Sequence, residues 1–152
     1  MRPRGVHLLL PQTLNSSALN LQPSAPGMVP ITRNKGATLK EMGAAAISEA
    51  MADAGVDPKR VGALYVGNMM SGMLSDQQHL GPYIATAAGL AGVEATTIEA
   101  CCGGGGAALR MGYMAVASGM HETVVVAGVE QMTHQDRDMA RVPSPPYFES
   151  WI

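Results

Sequence analysis

The sequence predicts a layered α/β fold, because segments with strand character alternate with segments of helical periodicity. Apolar residues recur at helical spacing from Leu39 to Ala54, and short strand-like segments follow at 63–66, 96–100 and 123–127. The last of these is rich in Val, as expected of a strand that is buried on both faces of a parallel sheet. A chain of 152 residues with 47% apolar content fits one domain with a real core.

The ends of the predicted helices carry recognisable signals. Thr38 and Glu41 form a T-x-x-E capping box at the start of the first helix, and Gly55 supplies its stop. A second helix is predicted over residues 78–90. A third is predicted over 107–118, directly after a run of four glycines.

Two regions of different character divide the chain. Residues 1–26 are interpreted as an N-terminal extension, and residues 27–152 as the ordered domain. The first 40 residues contain no acid, and their basic residues are Arg2, Arg4, Arg33, Lys35 and Lys40. Such a composition is typical of organelle transit peptides, which predicts a mitochondrial or other organellar protein. The alternative is a loose tail on a cytoplasmic protein.

The net charge and the cysteines argue against several classes of function. A net charge of -2 gives no electrostatic basis for binding nucleic acid or an anionic membrane, and no apolar run approaches the length of a membrane span. The two cysteines, Cys101 and Cys102, are adjacent, so their Cα atoms are too close for an ordinary disulfide. No metal-ligand spacing is present, and neither a metal nor a bound cofactor is expected. A reducing compartment or a reactive thiol is the better interpretation.

One long stretch is nearly free of charge. Between Val61 and Ile98 the charged residues are Asp76 and Glu94. Such a stretch belongs either to a core or to an interface. We expect the Met-rich loop from Gly67 to Ser75 to lie at an interface and the following helix to lie in the core.

The chemical centre is predicted at the cysteine pair, which lies between a strand end and a helix start. Unpaired N–H groups and the positive end of the helix dipole favour a thiolate there. The glycines that follow let a substrate approach the backbone and let N–H groups face a developing oxyanion. Cys102 is therefore a candidate nucleophile for covalent acyl transfer. The alternative is a small buried cysteine at a tight turn.

The run from Glu99 to Arg110, which reads EACCGGGGAALR, is similar to the nucleophile motif of thiolases. In the branch that includes sterol-carrier-protein-type and archaeal acetyl-CoA acetyltransferases, that motif reads roughly EAACASGGAALR. Cys102 falls on the nucleophile, and Gly104 replaces the usual Ser. Further similarity lies in Ala54–Pro58, Tyr65–Asn68 and Val124–Thr133, so that the resemblance covers about Gly27 to Thr133.

The resemblance implies the N-terminal half of a thiolase, with β-α-β-α-β-α-β order and a mostly parallel sheet. It implies acyl transfer between acyl-CoA and acetyl-CoA, by Claisen condensation or thiolysis, through a thioester on Cys102. It also implies a homo-oligomer in which two subunits pair along this half. That pairing would account for the uncharged stretch between Val61 and Ile98.

Two departures from the family pattern bear on function. The family's first strand should precede Gly27, yet residues 15–26 make a poor strand and Val6–Leu10 is a badly spaced substitute. The family's second half carries a G-H-P histidine and a second cysteine in a C-x-G motif, and neither occurs in this sequence. The expectation is therefore a truncated thiolase that is inactive alone. Surface or loop roles are assigned to His7, His79, His121 and His134.

The residues leave two alternative functions open. Gly103-x-Gly105-x-x-Ala108 matches a dinucleotide-binding pattern, with Glu130 at the end of the next strand. The other alternative is a non-enzymatic interaction module that pairs with a full-length thiolase.

Overall fold

The structure is a computed structural model that describes residues 6–10, 22–30 and 36–132, with backbone alone for 6–10 and 22–26. Four of the N-terminal basic residues, as well as Thr133, His134 and the Pro-rich end of the chain, lie outside the described residues. The transit-peptide interpretation therefore stays a prediction. Over the described ranges, no helix is both long enough and apolar enough to cross a membrane.

Strands and helices alternate along the chain. They are β1 Val6–Leu10, β2 Gln22–Gly27, α1 Leu39–Ala54, β3 Ala63–Gly67, α2 Ser71–Leu74, α3 Leu80–Ala87, β4 Glu94–Ile98, α4 Gly104–Ala117 and β5 Val124–Gly128. Two 3-10 turns, Pro58–Arg60 and Cys101–Gly103, precede β3 and α4. Apart from the single turn of α2, the order from β2 onward is β-α-β-α-β-α-β. The α/β prediction is confirmed.

The five strands form one sheet in the order β2-β1-β5-β3-β4. Strand β3 pairs in parallel with both β4 and β5. Strand β1 is antiparallel to β5 and to β2, so two reversals leave β2 pointing the same way as β3, β4 and β5. Four strands share one direction, and the carboxyl ends of β3, β4 and β5 therefore meet at one edge.

Strand β2 differs from the expectation that residues 15–26 make a poor strand. It lies at the edge of the sheet, where proline is tolerated because one side needs no ladder hydrogen bonds. Its last residue, Gly27, meets the backbone of α1 directly, because a Cβ there would lie 2.0 Å from the carbonyl oxygen of Ala46. Strand pairing and this helix contact override the weak local propensity. Val6–Leu10 is also a strand, but it is the antiparallel one.

The first helix has the predicted ends. The Glu41 N–H donates to Thr38 Oγ1 at 3.2 Å, and the Thr38 N–H donates to Glu41 Oε2 at 2.8 Å, which completes the capping box. Gly55 follows with φ 61°, in the left-handed conformation that ends many helices. Strand β4 begins and ends two residues earlier than predicted, because the chain leaves the sheet at Glu99 to turn towards the cysteines.

The core has two parts, one on each face of the sheet. On one face, Leu64 and Val66 pack with Ile47 of α1 and Ile84 of α3. On the other face, Ala63 and Tyr65 contribute to a smaller cluster that includes Ala108 and Val116 of α4. Alternate residues of β3 thus point to opposite faces, and both faces are covered. As expected, the uncharged helix α3 contributes to the core.

Candidate active site

A cavity of about 610 Å³ lies where the carboxyl ends of the parallel strands meet the start of α4. Its walls come from the end of β3, the end of β5 with the residues that follow, and the first turns of α4. The lining residues are Gly67, Asn68, Met69, Cys101, Cys102, Gly104, Gly105, Gly106, Leu109, Val126, Ala127, Gly128, Val129, Glu130 and Met132. The carboxyl edge of an open parallel sheet is where α/β proteins generally place ligands.

Both cysteines lie on the 3-10 turn that joins β4 to α4, and both are free and exposed. Cys101 has φ 46°, which is unusual for a residue with a side chain. Its N–H donates to Glu99 Oε1 at 2.7 Å, and the Gly103 N–H donates to the Ala100 carbonyl at 2.9 Å. These bonds hold the turn, and Cys102 lines the cavity two residues before α4 begins.

The start of α4 is pressed against the end of β3. A Cβ on Gly67 would lie 2.6 Å from the carbonyl carbon and oxygen of Gly104, so the two backbones are in direct contact. The Asn68 N–H donates to the Ile98 carbonyl at 3.1 Å, which fixes the end of β4 beside that of β3. A Cβ on Gly104 itself would make only ordinary contacts, the nearest at 3.5 Å. The close approach of strand and helix therefore does not require a glycine at position 104.

Asn68 and Glu130 form a polar network at the cavity wall that the sequence does not predict. Asn68 Nδ2 donates to the Val129 carbonyl at 2.8 Å and to Glu130 Oε1 at 3.1 Å. Glu130 Oε2 accepts the N–H groups of Met69 at 2.9 Å and Met70 at 3.2 Å. Their positions in the sequence could have indicated this contact, because both polar residues follow neighbouring buried strands and so meet at the same sheet edge.

This network bears on the dinucleotide alternative. In a dinucleotide-binding domain, a carboxylate ends the strand that follows the glycine-rich turn. That carboxylate must be free to accept hydrogen bonds from the ribose hydroxyls. Here both oxygens of Glu130 already accept hydrogen bonds from the chain. The carboxylate acts as a clamp on the loop after β3, which argues against a ribose-binding role.

A second polar cluster lies at the opposite, amino end of the parallel strands. Tyr65 Oη donates to Glu94 Oε1 at 3.0 Å, and His121 Nε2 lies 3.0 Å from Glu94 Oε2. Burial, together with the Glu94 carboxylate, raises the pKa of Tyr65 to about 12. Hydrogen bonds from His121 and then from Tyr65 hold the pKa of Glu94 below its ordinary value. This cluster joins β3, β4 and the turn before β5.

The histidines are therefore not beside the cysteines in the part of the chain with described side chains. His121 is bound to Glu94 at the other end of the sheet, and exposed His79 precedes α3. Among the residues that line the cavity, the ionisable side chains are Cys101, Cys102 and Glu130. Within the same described ranges, no group of three His, Cys, Asp or Glu side chains could hold a metal ion.

Comparisons with known proteins show which family this sequence matches. Residues 26–147 match the family model described as thiolase, N-terminal domain. An acetyl-CoA acetyltransferase of Methanothermobacter thermautotrophicus is 51% identical over 84 residues, which is 55% of this chain. One of Methanocaldococcus jannaschii is 44% identical over 85 residues, which is 56% of this chain. Each alignment covers 22% of the relative's length, so only a minor part of each relative is matched.

Two solved structures share the fold. The 3-oxoacyl-[acyl-carrier-protein] synthase III of Aquifex aeolicus VF5 superposes on 85% of this chain and 44% of its own, with a TM-score of 0.61 and 18% identity. The priming β-ketosynthase of the R1128 polyketide biosynthetic pathway superposes on 67% of this chain and 32% of its own, with a TM-score of 0.54 and 27% identity.

Proposed function

Since the chain belongs to the thiolase family, as an N-terminal thiolase domain, we propose that it serves a thiolase-type acyltransferase that carries acyl groups as a thioester on Cys102. The observation that carries this proposal is the position of Cys102. Cys102 is exposed and lines the cavity at the carboxyl edge of the sheet, on the turn that leads into α4. The substrates are acyl-CoA and acetyl-CoA, as the names of the two archaeal relatives support.

The first step is transfer of an acyl group to sulfur. The Cys102 thiolate attacks the thioester carbonyl carbon of acyl-CoA and forms a tetrahedral oxyanion. Collapse of that intermediate breaks the bond to the CoA sulfur, so acyl-Cys102 forms and CoA leaves as a thiolate. No oxidation occurs, and the charge passes from one sulfur to the other.

The start of α4 supports this step in two ways. The first turn of a helix carries N–H groups that have no partner within the helix, and its dipole favours negative charge. These groups can stabilise both the thiolate and the oxyanion. A Cβ at Gly103, Gly105 or Gly106 would meet nothing within 4 Å, so the space beside Cys102 is open to an acyl chain.

The second step of a thiolase needs a group that moves a proton on the carbon next to a thioester. The ionisable cavity residues of the described ranges are the two cysteines and Glu130, and the loop holds Glu130 through three N–H donors. We therefore propose that these residues support acyl transfer to Cys102 but not condensation or thiolysis, for which general acid–base groups typically supply about 10²–10⁴-fold each.

A homo-oligomer is part of the same proposal. Helix α4 exposes Met111, Tyr113 and Met114, and Met73 of α2 and Tyr83 of α3 are exposed as well. Adjacent exposed apolar side chains of this kind mark interaction surfaces. The competing proposal, a non-enzymatic module that pairs with a full-length thiolase, uses the same surfaces but does not require acyl transfer.

Exchange of labelled CoA into unlabelled acetyl-CoA tests the proposal, because it needs only the acyl-enzyme half reaction. The chain is expected to catalyse this exchange, Cys101→Ala to retain it, and Cys102→Ala to lose it. Thiolysis of acetoacetyl-CoA by the same preparation is expected to be absent. A folded chain that catalyses no exchange would favour the interaction module, and steady thiolysis would show that a base has been overlooked.

A further inference from the structure

Cys101 has no part in the proposed acyl transfer, yet it is exposed and directly precedes Cys102 in the chain. Both residues line the same cavity. In a strand, successive side chains point to opposite faces, and in a regular helix they diverge by about 100°. Cys101 follows neither pattern, because its φ of 46° is left-handed, and both neighbours line one cavity.

Two hydrogen bonds stabilise the turn that carries the two cysteines. The Cys101 N–H donates to Glu99 Oε1 at 2.7 Å, and the Gly103 N–H closes the turn on the Ala100 carbonyl. Beyond the thiols, the absent side chains of Gly103, Gly105 and Gly106 leave open space. If one atom bound both sulfurs, a substituent on that atom would therefore fit in the cavity of about 610 Å³.

We propose that Cys101 and Cys102 form a vicinal dithiol site that chelates a trivalent arsenical, with one arsenic atom bound to both sulfurs. The reaction is R–As=O plus two thiols giving R–As(S-Cys101)(S-Cys102) plus water. Two As–S bonds form, and the oxo group leaves with both thiol protons. Arsenic remains trivalent and no thiol is oxidised, so no further reactant is needed.

Arsenic suits this pair better than a direct sulfur–sulfur bond does. Adjacent Cα atoms lie about 3.8 Å apart across a trans peptide, which is shorter than disulfide geometry prefers. An arsenic atom between the sulfurs enlarges the ring and relieves that constraint. Soft thiolate ligands also select soft acceptors over hard ones. Arsenical binding does not require that Cys102 carry acyl groups, but an arsenical bound there would block Cys102 as a nucleophile.

Binding of phenylarsine oxide to the whole chain, followed by thiol titration and intact mass, tests this site. The chain has two cysteines in all, so no other thiol contributes to the titration. The expected adduct has one phenylarsenic group per chain and has lost two titratable thiols. It should survive an excess of a monothiol and be released by 2,3-dimercaptopropanol.

Cys101→Ala and Cys102→Ala are the matched variants. Each is expected to bind the arsenical at least about 10²-fold more weakly, because the second bond of the chelate is lost. Retention by either variant as strong as in the wild-type chain would overturn the proposal. So would a wild-type adduct with one thiol lost per arsenic, two arsenicals per chain, or no adduct; these wild-type outcomes decide the matter even where a variant folds poorly.

Discussion

The side-chain amide of Asn68 donates to the carboxylate of Glu130, with 3.1 Å between Nδ2 and Oε1. Asn68 follows β3 and Glu130 follows β5, so this bond joins the ends of two neighbouring parallel strands at the cavity wall. Asn68 is buried, and its Oδ1 also accepts the Ser71 N–H at 2.8 Å. The pair therefore holds the loop after β3 against the strand that faces the cysteines.

Asn68→Ala is expected to destabilise the domain more than Glu130→Gln does. The alanine leaves the Val129 carbonyl and the Ser71 N–H without their side-chain partner, at a cost of about 1–3 kcal/mol for each buried group left unsatisfied. Glu130 is exposed, and glutamine keeps one acceptor oxygen, so the expected cost is about 1 kcal/mol or less. Urea unfolding of both variants measures the order, and the reverse order would contradict the role given to Asn68.

Gly67→Ala is expected to disturb the site, whereas Gly104→Ala is not. A methyl group on Gly67 would meet the backbone of Gly104 at 2.6 Å, and backbone cannot move aside as a side chain can. We expect a loss of about 1–3 kcal/mol in unfolding free energy and reduced CoA exchange. A methyl group on Gly104 has its nearest contact at 3.5 Å, so this matched variant should unfold and exchange like the wild type. Equal effects of the two would show that the close approach of β3 and α4 is not rigid.

Much of the fold could be predicted from local patterns, and the exceptions have physical causes. The capping box at Thr38 and the stop at Gly55 are local signals, and α1 has those ends. Strand β2 could not be predicted, because it depends on pairing with β1 and on the contact of Gly27 with α1. The placement of Cys102 at a helix start followed from the motif. The Asn68–Glu130 bond did not, because it joins residues 62 positions apart.

The unfolding free energy is expected to fall in alkali through Tyr65. The pKa of Tyr65 is raised to about 12 in the folded chain, against about 10 for an ordinary tyrosine. A raised pKa favours the protonated phenol in the folded state, so its contribution is complete below pH 10 and is lost as the pH rises towards 12. Tyr65→Phe should remove this part of the alkaline loss.

Denaturant unfolding at several pH values above 9, with the wild type and Tyr65→Phe side by side, measures that difference. Tyr83→Phe is the control, since Tyr83 is exposed on α3 and its ring contacts Lys40. If Tyr65→Phe and the wild type lost stability in parallel over this range, ionisation of Tyr65 would not be a cause of the alkaline loss.

Association of the chain at micromolar concentration is the next expected outcome. An interface of standard size covers about 800 Å² per partner, and burial contributes roughly 25 cal/mol per Å² of apolar surface. Sedimentation should therefore detect dimers or larger species. Met111→Ser with Met114→Ser tests the α4 surface, and Met73→Ser with Tyr83→Ser tests the surface within the uncharged stretch. A compact monomer of 15.8 kDa in the wild type would contradict the oligomer proposal.

The most direct measurement is the position of the acyl group after incubation with acetyl-CoA. The two thiols are adjacent, so the assignment relies on Cys101→Ala and Cys102→Ala, each checked for folding and analysed by intact mass and peptide fragmentation. The account predicts one acetyl group on Cys102 in the wild type and in Cys101→Ala, and none in Cys102→Ala. An acetyl group that persists in Cys102→Ala, or that forms only when Cys101 is present, would contradict it.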